Sequence, residues 1–350
     1  MGPYGRLVKP LISLSGVSRH ISPTQPLRTF TSPTKACQSE RPILPQTQSI
    51  YEVFDREAKR AQRDRSASYV ESSREVDYLK DEVALRLADR LLDIKRKYPL
   101  IVEIGAGCGH FAKALEPEMT KKLVMCEYSE KMLFRDANEK YKVEVERRVM
   151  NEEVPDFEPN SLDAVVSSLS MHWVNDLPGM MSKVMDSLVP DGVFIGSLFG
   201  GDTLFELRTA FQLADQERGG GIAARVSPMT HLSDIGGLMN RAGFTLSTID
   251  VDNFTINYPS MFHLLSDINA MGEGNAVVQR LPMLKRDTLL AAAAIYNELH
   301  GNADGSIPAT FQVIYFIGWK PGPDQPKPLE RGSGSVSLKD ALKGGQGGKL

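Results

Sequence analysis

Short apolar runs alternate with amphipathic helical patterns through the middle of the chain. Apolar runs predict strands over residues 100–104, 122–126, 143–149, 163–168 and 193–197. Helical patterns precede or separate these strands, over residues 51–97, 129–140 and 176–188. Strands separated by helices of this length predict an α/β fold with a doubly wound, mostly parallel sheet.

The second half of the chain is richer in helical patterns. They cover residues 230–242, 259–271 and 286–300, and two further strands are predicted over 246–257 and 309–319. Thr203 and Glu206 have the spacing of a capping box, which predicts a helix from there to residue 218. We expect a helical cap facing the substrate, formed by segments 200–208, 217–228 and 271–275. The segment 54–63 is charged all round and is expected on the surface.

The two ends of the chain differ in composition from the part between them. Residues 1–39 hold five Lys/Arg, ten Ser/Thr, five Pro and no Asp or Glu, a composition typical of a mitochondrial transit peptide. Residues 321–350 hold seven Gly and four Pro and few apolar residues, which predicts a disordered tail. The folded body is therefore expected over residues 50–320.

Charge and cysteine content exclude several classes of protein. The 350 residues carry a formal net charge of −3, but without the leader 36 Lys/Arg stand against 44 Asp/Glu. An acidic body argues against a nucleic-acid partner, because nucleic-acid-binding domains are normally basic. Three cysteines without C-x-x-C spacing exclude a disulfide scaffold. No apolar run reaches the roughly 18–20 residues that span a bilayer.

A glycine-rich loop follows the first predicted strand. Gly105, Gly107 and Gly109 allow a tight turn and the close approach of a ligand to the backbone. Glu127 ends the next strand, where an acid can accept hydrogen bonds from both hydroxyls of a ribose. The G-x-G-x-G spacing with Glu103 before it resembles the class I S-adenosylmethionine (SAM) fold. A dinucleotide site and a turn without a ligand are the alternatives.

Further candidates follow the third and fourth predicted strands. Asn151 stands where this fold usually places an Asp that contacts adenine, and Glu152 is next to it. Ser168 ends the fourth strand, at the edge of the sheet where ligands bind in such folds. His172 and Trp173 follow as candidate catalytic residues, because a Trp ring can hold a sulfonium cation. Alternatively, both side chains serve packing and backbone hydrogen bonding.

Other catalytic signatures are missing from the sequence. It contains no G-x-S-x-G motif and no P-loop. The six histidines form no H-x-D/E pair of the kind common in non-haem iron oxygenases, and no metal site is predicted. Methyl transfer from SAM needs positioning more than acid–base groups, so the lack of a catalytic constellation is compatible with it.

Five segments together resemble the mitochondrial complex I assembly factor 5 family, arginine hydroxylases with a methyltransferase fold. They are residues 54–56, SSLSMHWVNDLP at 167–178, GGDTLFELR at 200–208, 286–294, and 307–320. The match extends over residues 50–340. The chain is also similar, more loosely, to bacterial malonyl-carrier-protein methyltransferases, mainly in the SAM core.

The resemblance implies SAM as cofactor and a matrix protein that is peripheral to the mitochondrial inner membrane. It further implies hydroxylation of an arginine in iron–sulfur subunit 7 of complex I, and contact with early assembly intermediates. Asp202, Glu206 and Glu273 are acids that can pair with a substrate guanidinium; the alternative for each is a helix cap or a solvated charge.

Two other functions remain open from the sequence. One is a SAM-dependent methyltransferase that acts on a small molecule or a carrier protein. The other is a non-enzymatic assembly chaperone with SAM as a structural ligand. No residue in the sequence identifies an electron source for inserting oxygen.

Overall fold

The computed structural model describes residues 52–281, 283–323, 325–326 and 333. The predicted leader, 1–39, lies outside the described residues, as does most of the predicted tail, 321–350. Three helices precede the sheet: α1 (Arg56–Ser68), α2 (Val70–Glu75) and α3 (Tyr78–Asp93). Helix α1 begins after Asp55, because the Asp55 carboxylate accepts a hydrogen bond from the Ala58 amide.

A seven-stranded sheet forms the centre of the fold. Its strands are β1 (Tyr98–Ile104), β2 (Thr120–Glu127), β3 (Glu144–Val149), β4 (Leu162–Ser168), β5 (Leu188–Phe199), β6 (Thr245–Tyr258) and β7 (Ile307–Trp319). The order is β3-β2-β1-β4-β5-β7-β6. Strands β1 to β5 pair in parallel, whereas β7 runs antiparallel between β5 and β6. All seven predicted strands are present.

Helices cover both faces of this sheet. They are α4 (His110–Ala114), α5 (Glu130–Leu133), α6 (Leu177–Ser187), α7 (Phe205–Gly219), α8 (Leu232–Ala242), α9 (Met261–Ala270) and α10 (Arg286–His300). In β5, Val193 and Ile195 pack into the core layer under α3, α7 and α10, while Phe194 and Leu198 pack on the opposite side under α6 and α8. The doubly wound α/β fold predicted from the sequence is confirmed. Among the described residues, no helix combines the length and apolar character needed to cross a membrane.

The helix predicted over 129–140 is much shorter than expected. Ser129 does cap it, accepting a hydrogen bond from the Met132 amide, but α5 ends at Leu133. Beyond it the chain turns, and the buried Asp136 carboxylate accepts hydrogen bonds from Arg74 and Arg135. These tertiary ion pairs outweigh the helical propensity of the segment.

The capping box predicted at Thr203 and Glu206 is also wrong. Leu204 precedes α7 with a left-handed backbone, at a φ of 53°. The Thr203 hydroxyl instead donates to the Gln312 carbonyl, and the Glu206 carboxylate accepts from the Thr310 hydroxyl at 2.6 Å. Both side chains therefore tie the start of α7 to β7.

Candidate functional site

The turn after β1 has the backbone that its glycines were expected to allow. Gly105, Gly107 and Gly109 all have positive φ, at 75°, 56° and 91°. A side chain at Gly105 would overlap the Ser170 hydroxyl, and one at Gly109 would come within 2.6 Å of the Tyr141 hydroxyl. At Gly107 the nearest atom, on His110, would be 3.7 Å away. Gly105 and Gly109 therefore permit packing, whereas Gly107 leaves backbone open to a ligand.

Within the described part of the chain, two acids flank this turn, one without hydrogen-bond partners and one with several. Glu103 is fully buried, and neither of its carboxylate oxygens has a hydrogen-bond partner among the described residues. Burial, assisted by the nearby Glu127, raises the pKa of Glu103 well above its usual range. Glu127 accepts hydrogen bonds from the Gly107 amide at 3.1 Å and the Ser129 amide at 3.0 Å. An unpartnered buried carboxyl beside a glycine turn is the arrangement expected where a ligand brings a cation.

Five of the expected cofactor residues line one cavity. They are Glu103, Gly105, Gly107, Glu127 and Ser168. Gly109 lies behind it, against Met125 and Tyr141. The cavity measures only about 20 Å³, whereas cofactor pockets are usually about 300–1,000 Å³. The carboxyl groups that line it suit the ammonium and the ribose of SAM. The whole SAM molecule needs more space, and Arg63 and Lys80 line the cavity where that space would be.

Helix α1 supplies the side chain that fills this space. Arg63 donates to the Glu127 carboxylate at 2.9 Å and to Glu152 at 3.2 Å. Arg56 reaches Glu152 as well, at 2.7 Å. The expectation that 54–63 lies on the surface is therefore wrong for these side chains: Arg63 is 5% exposed and Lys59 1%. Residues 56, 59 and 63 share one face of the helix. This face points into the protein, where its two arginines pair with buried acids.

A second buried cluster adjoins the first. The Trp173 indole donates to the Glu273 carboxylate at 2.6 Å, and Lys80 lies 2.9 Å from the other Glu273 oxygen. The Lys59 ammonium lies 3.4 Å from the centre of the Trp173 ring. His172 Nε2 is 3.5 Å from Glu273, beyond a good hydrogen bond. The candidates His172, Trp173 and Glu273 thus lie together.

Burial and charge set the ionisation of this cluster. Burial lowers the pKa of His172 and holds the pKa of Lys59 well below its usual range. Burial alone would raise the pKa of Glu273, but nearby lysines, Lys80 above all, outweigh it and hold that pKa well below its usual range. The cluster therefore consists of an ionised Glu273, held by Lys80, beside a neutral imidazole.

The remaining candidates lie further apart. Asn151 accepts a hydrogen bond from the Glu153 amide at 3.0 Å and lies 3.4 Å from Arg56, at the edge of the site. Asp202 is exposed and accepts from the Gln312 side chain at 3.0 Å, while Glu206 is bound to Thr310. Glu152 and Glu273 pair with Arg63 and Lys80, the two cations that line the cavity. Asp202 and Glu206 are bound to β7 instead.

Sequence reasoning missed the cations of α1 and the clamp that holds it. The Asn175 side chain accepts from the Val53 and Phe54 amides at 2.9 and 2.8 Å and donates back to the Phe54 carbonyl at 3.0 Å. The i, i+3, i+7 spacing of the three cations could have indicated the buried face of the helix. Nothing in the sequence pattern indicated that Asn175 binds the backbone just before α1.

A group of possible metal ligands was also missed. Asp77, Asp81 and His110 have ligand atoms within 4.8 Å of one another. Lys113 lies 3.5 Å from Asp81, and Arg135 pairs with Asp77 at 2.5 Å. Their negative charge is therefore already balanced by protein cations.

Comparison with known proteins places this geometry in a family. A methyltransferase domain family (Methyltransf_11) matches residues 102–196, the segment that holds the glycine turn and both flanking acids. Arginine-hydroxylase NDUFAF5 of Danio rerio is 47% identical over 295 residues, covering 84% of this chain and 91% of that protein. The chain belongs to the NDUFAF5 family. The Homo sapiens NDUFAF5 is 46% identical over 286 residues, covering 82% of both chains.

The family resemblance found in the sequence is confirmed, as is the class I SAM-methyltransferase fold. A malonyl-[acyl-carrier protein] O-methyltransferase of Xylella fastidiosa is 30% identical over 252 residues, covering 69% of this chain and 81% of that protein. This NDUFAF5-family protein thus combines a methyltransferase core with an N-terminal helix bound tightly over its candidate cofactor site.

Proposed function

We propose that this protein binds SAM and hydroxylates an arginine side chain of a partner protein. The cofactor assignment depends on one observation: the buried Glu103 carboxyl has no hydrogen-bond partner beside an open glycine backbone. The hydroxylase assignment is supported by relatives named arginine-hydroxylase at 46–47% identity over most of the chain.

Each candidate residue has a role that its position supports. Glu103 would hold the SAM ammonium, and Glu127 would accept hydrogen bonds from the ribose hydroxyls. Because Gly107 has no side chain, the ligand could come close to its backbone. Ser168 lines the same cavity, and Asn151 and Glu152 follow β3, at the adenine end. Bound SAM would bring a sulfonium cation and a transferable methyl group.

Substrate contact is assigned to the buried cluster and to two acids at the start of α7. Glu273 is the acid best placed to orient a guanidinium, because it is held ionised beside His172 and Trp173. Asp202 and Glu206 lie on the cap side, at the start of α7. Hydroxylation inserts one atom of dioxygen into a C–H bond and releases the other as water, with two electrons and two protons from an external reductant.

We assign the target protein and the location from the family resemblance. We assign the target as an arginine of iron–sulfur subunit 7 of complex I, modified early in assembly. The site of action is the mitochondrial matrix face of the inner membrane, reached through an import leader at residues 1–39. The names of the relatives call them mitochondrial, which supports the mitochondrial part of this assignment.

The hydroxylase activity is tested by mass spectrometry of the subunit. Cells that lack this protein are complemented with wild type or with Glu103→Gln, and arginine-containing peptides of the subunit are compared. The proposal expects one arginine to gain the mass of an oxygen atom in wild-type cells only. The same oxygen mass in cells without the protein would overturn the proposal.

Methyl transfer is a second candidate, favoured by the similarity to the carrier-protein O-methyltransferase. Purified protein is incubated with methyl-labelled SAM and a mitochondrial extract, and label is followed into protein and small-molecule fractions. Label transfer that depends on Glu103 would favour this function. Assembly that is restored by a folded variant unable to bind SAM would favour the chaperone instead.

A further inference from the structure

Glu127 cannot pair with Arg63 and bind a ribose at the same time. One carboxylate oxygen accepts from Arg63 and the Ser129 amide, at 2.9 and 3.0 Å, and the other accepts from the Gly107 amide at 3.1 Å. A ribose needs both oxygens to be approachable from the cavity. The Arg63 guanidinium lines that cavity, and about 20 Å³ remains free. A ribose at Glu127 therefore has to displace Arg63.

We infer that α1 is a lid over the cofactor site and that Arg63 competes with the ribose for Glu127. This inference rests on the proposed SAM site and adds a means of regulating it. In the closed arrangement the Arg63 guanidinium also lies 3.2 Å from Glu152. Glu152 is shared with Arg56, so one acid holds two cations of α1 in the closed arrangement.

Two further contacts fasten the N-terminal part of the lid. Near its start, Asn175 clamps the backbone of Val53 and Phe54. Further along, the Lys59 ammonium donates to the Gly274 carbonyl at 2.7 Å and the Gly272 carbonyl at 3.2 Å. The lid ends at Tyr69, where the backbone leaves helical geometry before α2 begins.

Opening of the lid is transmitted to the second cluster. Lys59 lies on the Trp173 ring and hydrogen-bonds the loop that carries Glu273. Displacement of α1 removes this cation from Trp173 and exposes the ring to water. Occupation of the cofactor site is thereby coupled to the neighbourhood of His172 and Glu273, where the substrate is proposed to bind.

The inference predicts that SAM binds more tightly when the contact between Arg63 and Glu127 is removed. Arg63→Met is compared with Arg60→Met, a matched change on the same helix whose arginine is exposed and pairs with Glu57. SAM is titrated into each full-length protein by calorimetry. Because removing the competitor raises the fraction of binding-competent molecules, Arg63→Met should bind roughly tenfold or more tightly, while Arg60→Met matches wild type. Unchanged or weaker binding by Arg63→Met would overturn the inference.

A second readout leaves the residues of the lid unchanged. Hydrogen exchange of the α1 amides is measured with and without SAM, together with Trp173 fluorescence in a Trp319→Phe background. SAM should speed exchange in residues 56–68 and shift Trp173 emission to longer wavelength. Protection of α1 by SAM would overturn the lid while leaving the SAM site intact. No SAM binding by wild type or either variant would overturn the proposed cofactor and, with it, the lid.

Discussion

The Trp173 indole donates a hydrogen bond to the Glu273 carboxylate at 2.6 Å, across one hundred residues of sequence. This contact joins the loop after β4 to the loop after α9. Lys80 of α3 lies 2.9 Å from the same carboxylate, so three distant segments meet at one buried acid. Glu273 is therefore a structural junction as well as a candidate substrate contact.

Replacing Glu273 should destabilise the fold, and the loss should be smaller where an acceptor for the Trp173 indole remains. Glu273→Ala removes the acceptor for Trp173 and the partner of Lys80, and should cost about 3–5 kcal/mol of unfolding free energy. Glu273→Gln keeps an acceptor for the indole and should cost about 1–3 kcal/mol. Urea unfolding measures both. Equal losses for the two variants would contradict the importance of the indole hydrogen bond.

SAM binding should release a proton from Glu103. Burial raises its pKa and so favours the protonated carboxyl in the free protein, whereas an ammonium ligand favours the carboxylate. Affinity should therefore rise with pH and level off once the raised pKa of the free protein is passed.

Calorimetry in two buffers of different ionisation enthalpy measures this proton. At a pH below the raised pKa of Glu103, wild type should release a proton that Glu103→Gln does not, and the variant should bind more weakly with a flat pH profile. Binding by wild type without proton release would mean that Glu103 does not meet the ammonium.

The glycines of the turn should respond differently to alanine. Gly105→Ala should cost roughly 2–4 kcal/mol of unfolding free energy, because a positive φ and an overlap with Ser170 combine. Gly107→Ala has space around it and should cost about 1–2 kcal/mol, from backbone strain alone. Its main effect should be on SAM affinity. If Gly107→Ala folded and bound SAM as wild type does, the ligand would not approach this backbone.

Docking of α1 should weaken in acid through Glu152. Burial would raise the pKa of this carboxyl, but Arg56 and Arg63 outweigh it and lower the pKa below its usual value. A depressed pKa contributes stability that is present above about 4.3 and is lost as pH falls through the folded value.

The wild-type protein and Glu152→Gln are compared by urea unfolding between about pH 7 and pH 3. The variant should be less stable at neutral pH, and the difference should shrink as the pH falls. A difference that stayed constant with pH would show that ionised Glu152 does not hold α1.

Local patterns were sufficient to predict the sheet. The apolar runs marked every strand, and the glycines marked a turn with positive φ at Gly105 and Gly107, because strand burial and positive φ leave direct traces in sequence. Lengths of elements were less predictable, as α5 shows, where a buried Asp136 held by Arg74 and Arg135 ends a helical pattern early.

Charge pairing over long separations could not be predicted. Arg63 reads as a solvated residue until Glu127 and Glu152 are seen beside it, 64 and 89 residues away. Thr203 and Glu206 have capping-box spacing, yet the backbone of Leu204 turns them to β7. In both cases the partner lies outside the window within which a pattern is read.

The position of β7 affects the order in which the protein can be completed during synthesis. Strand β6 pairs with β7 alone among the described strands, and β7 also pairs with β5. Both pairings wait until residue 319 has been made, so a nascent chain carries two unpaired strand edges nearly to its end. A premature stop codon before residue 307 would leave these edges permanently open. Such a truncation should be cleared by proteases even though every residue of the glycine turn is present.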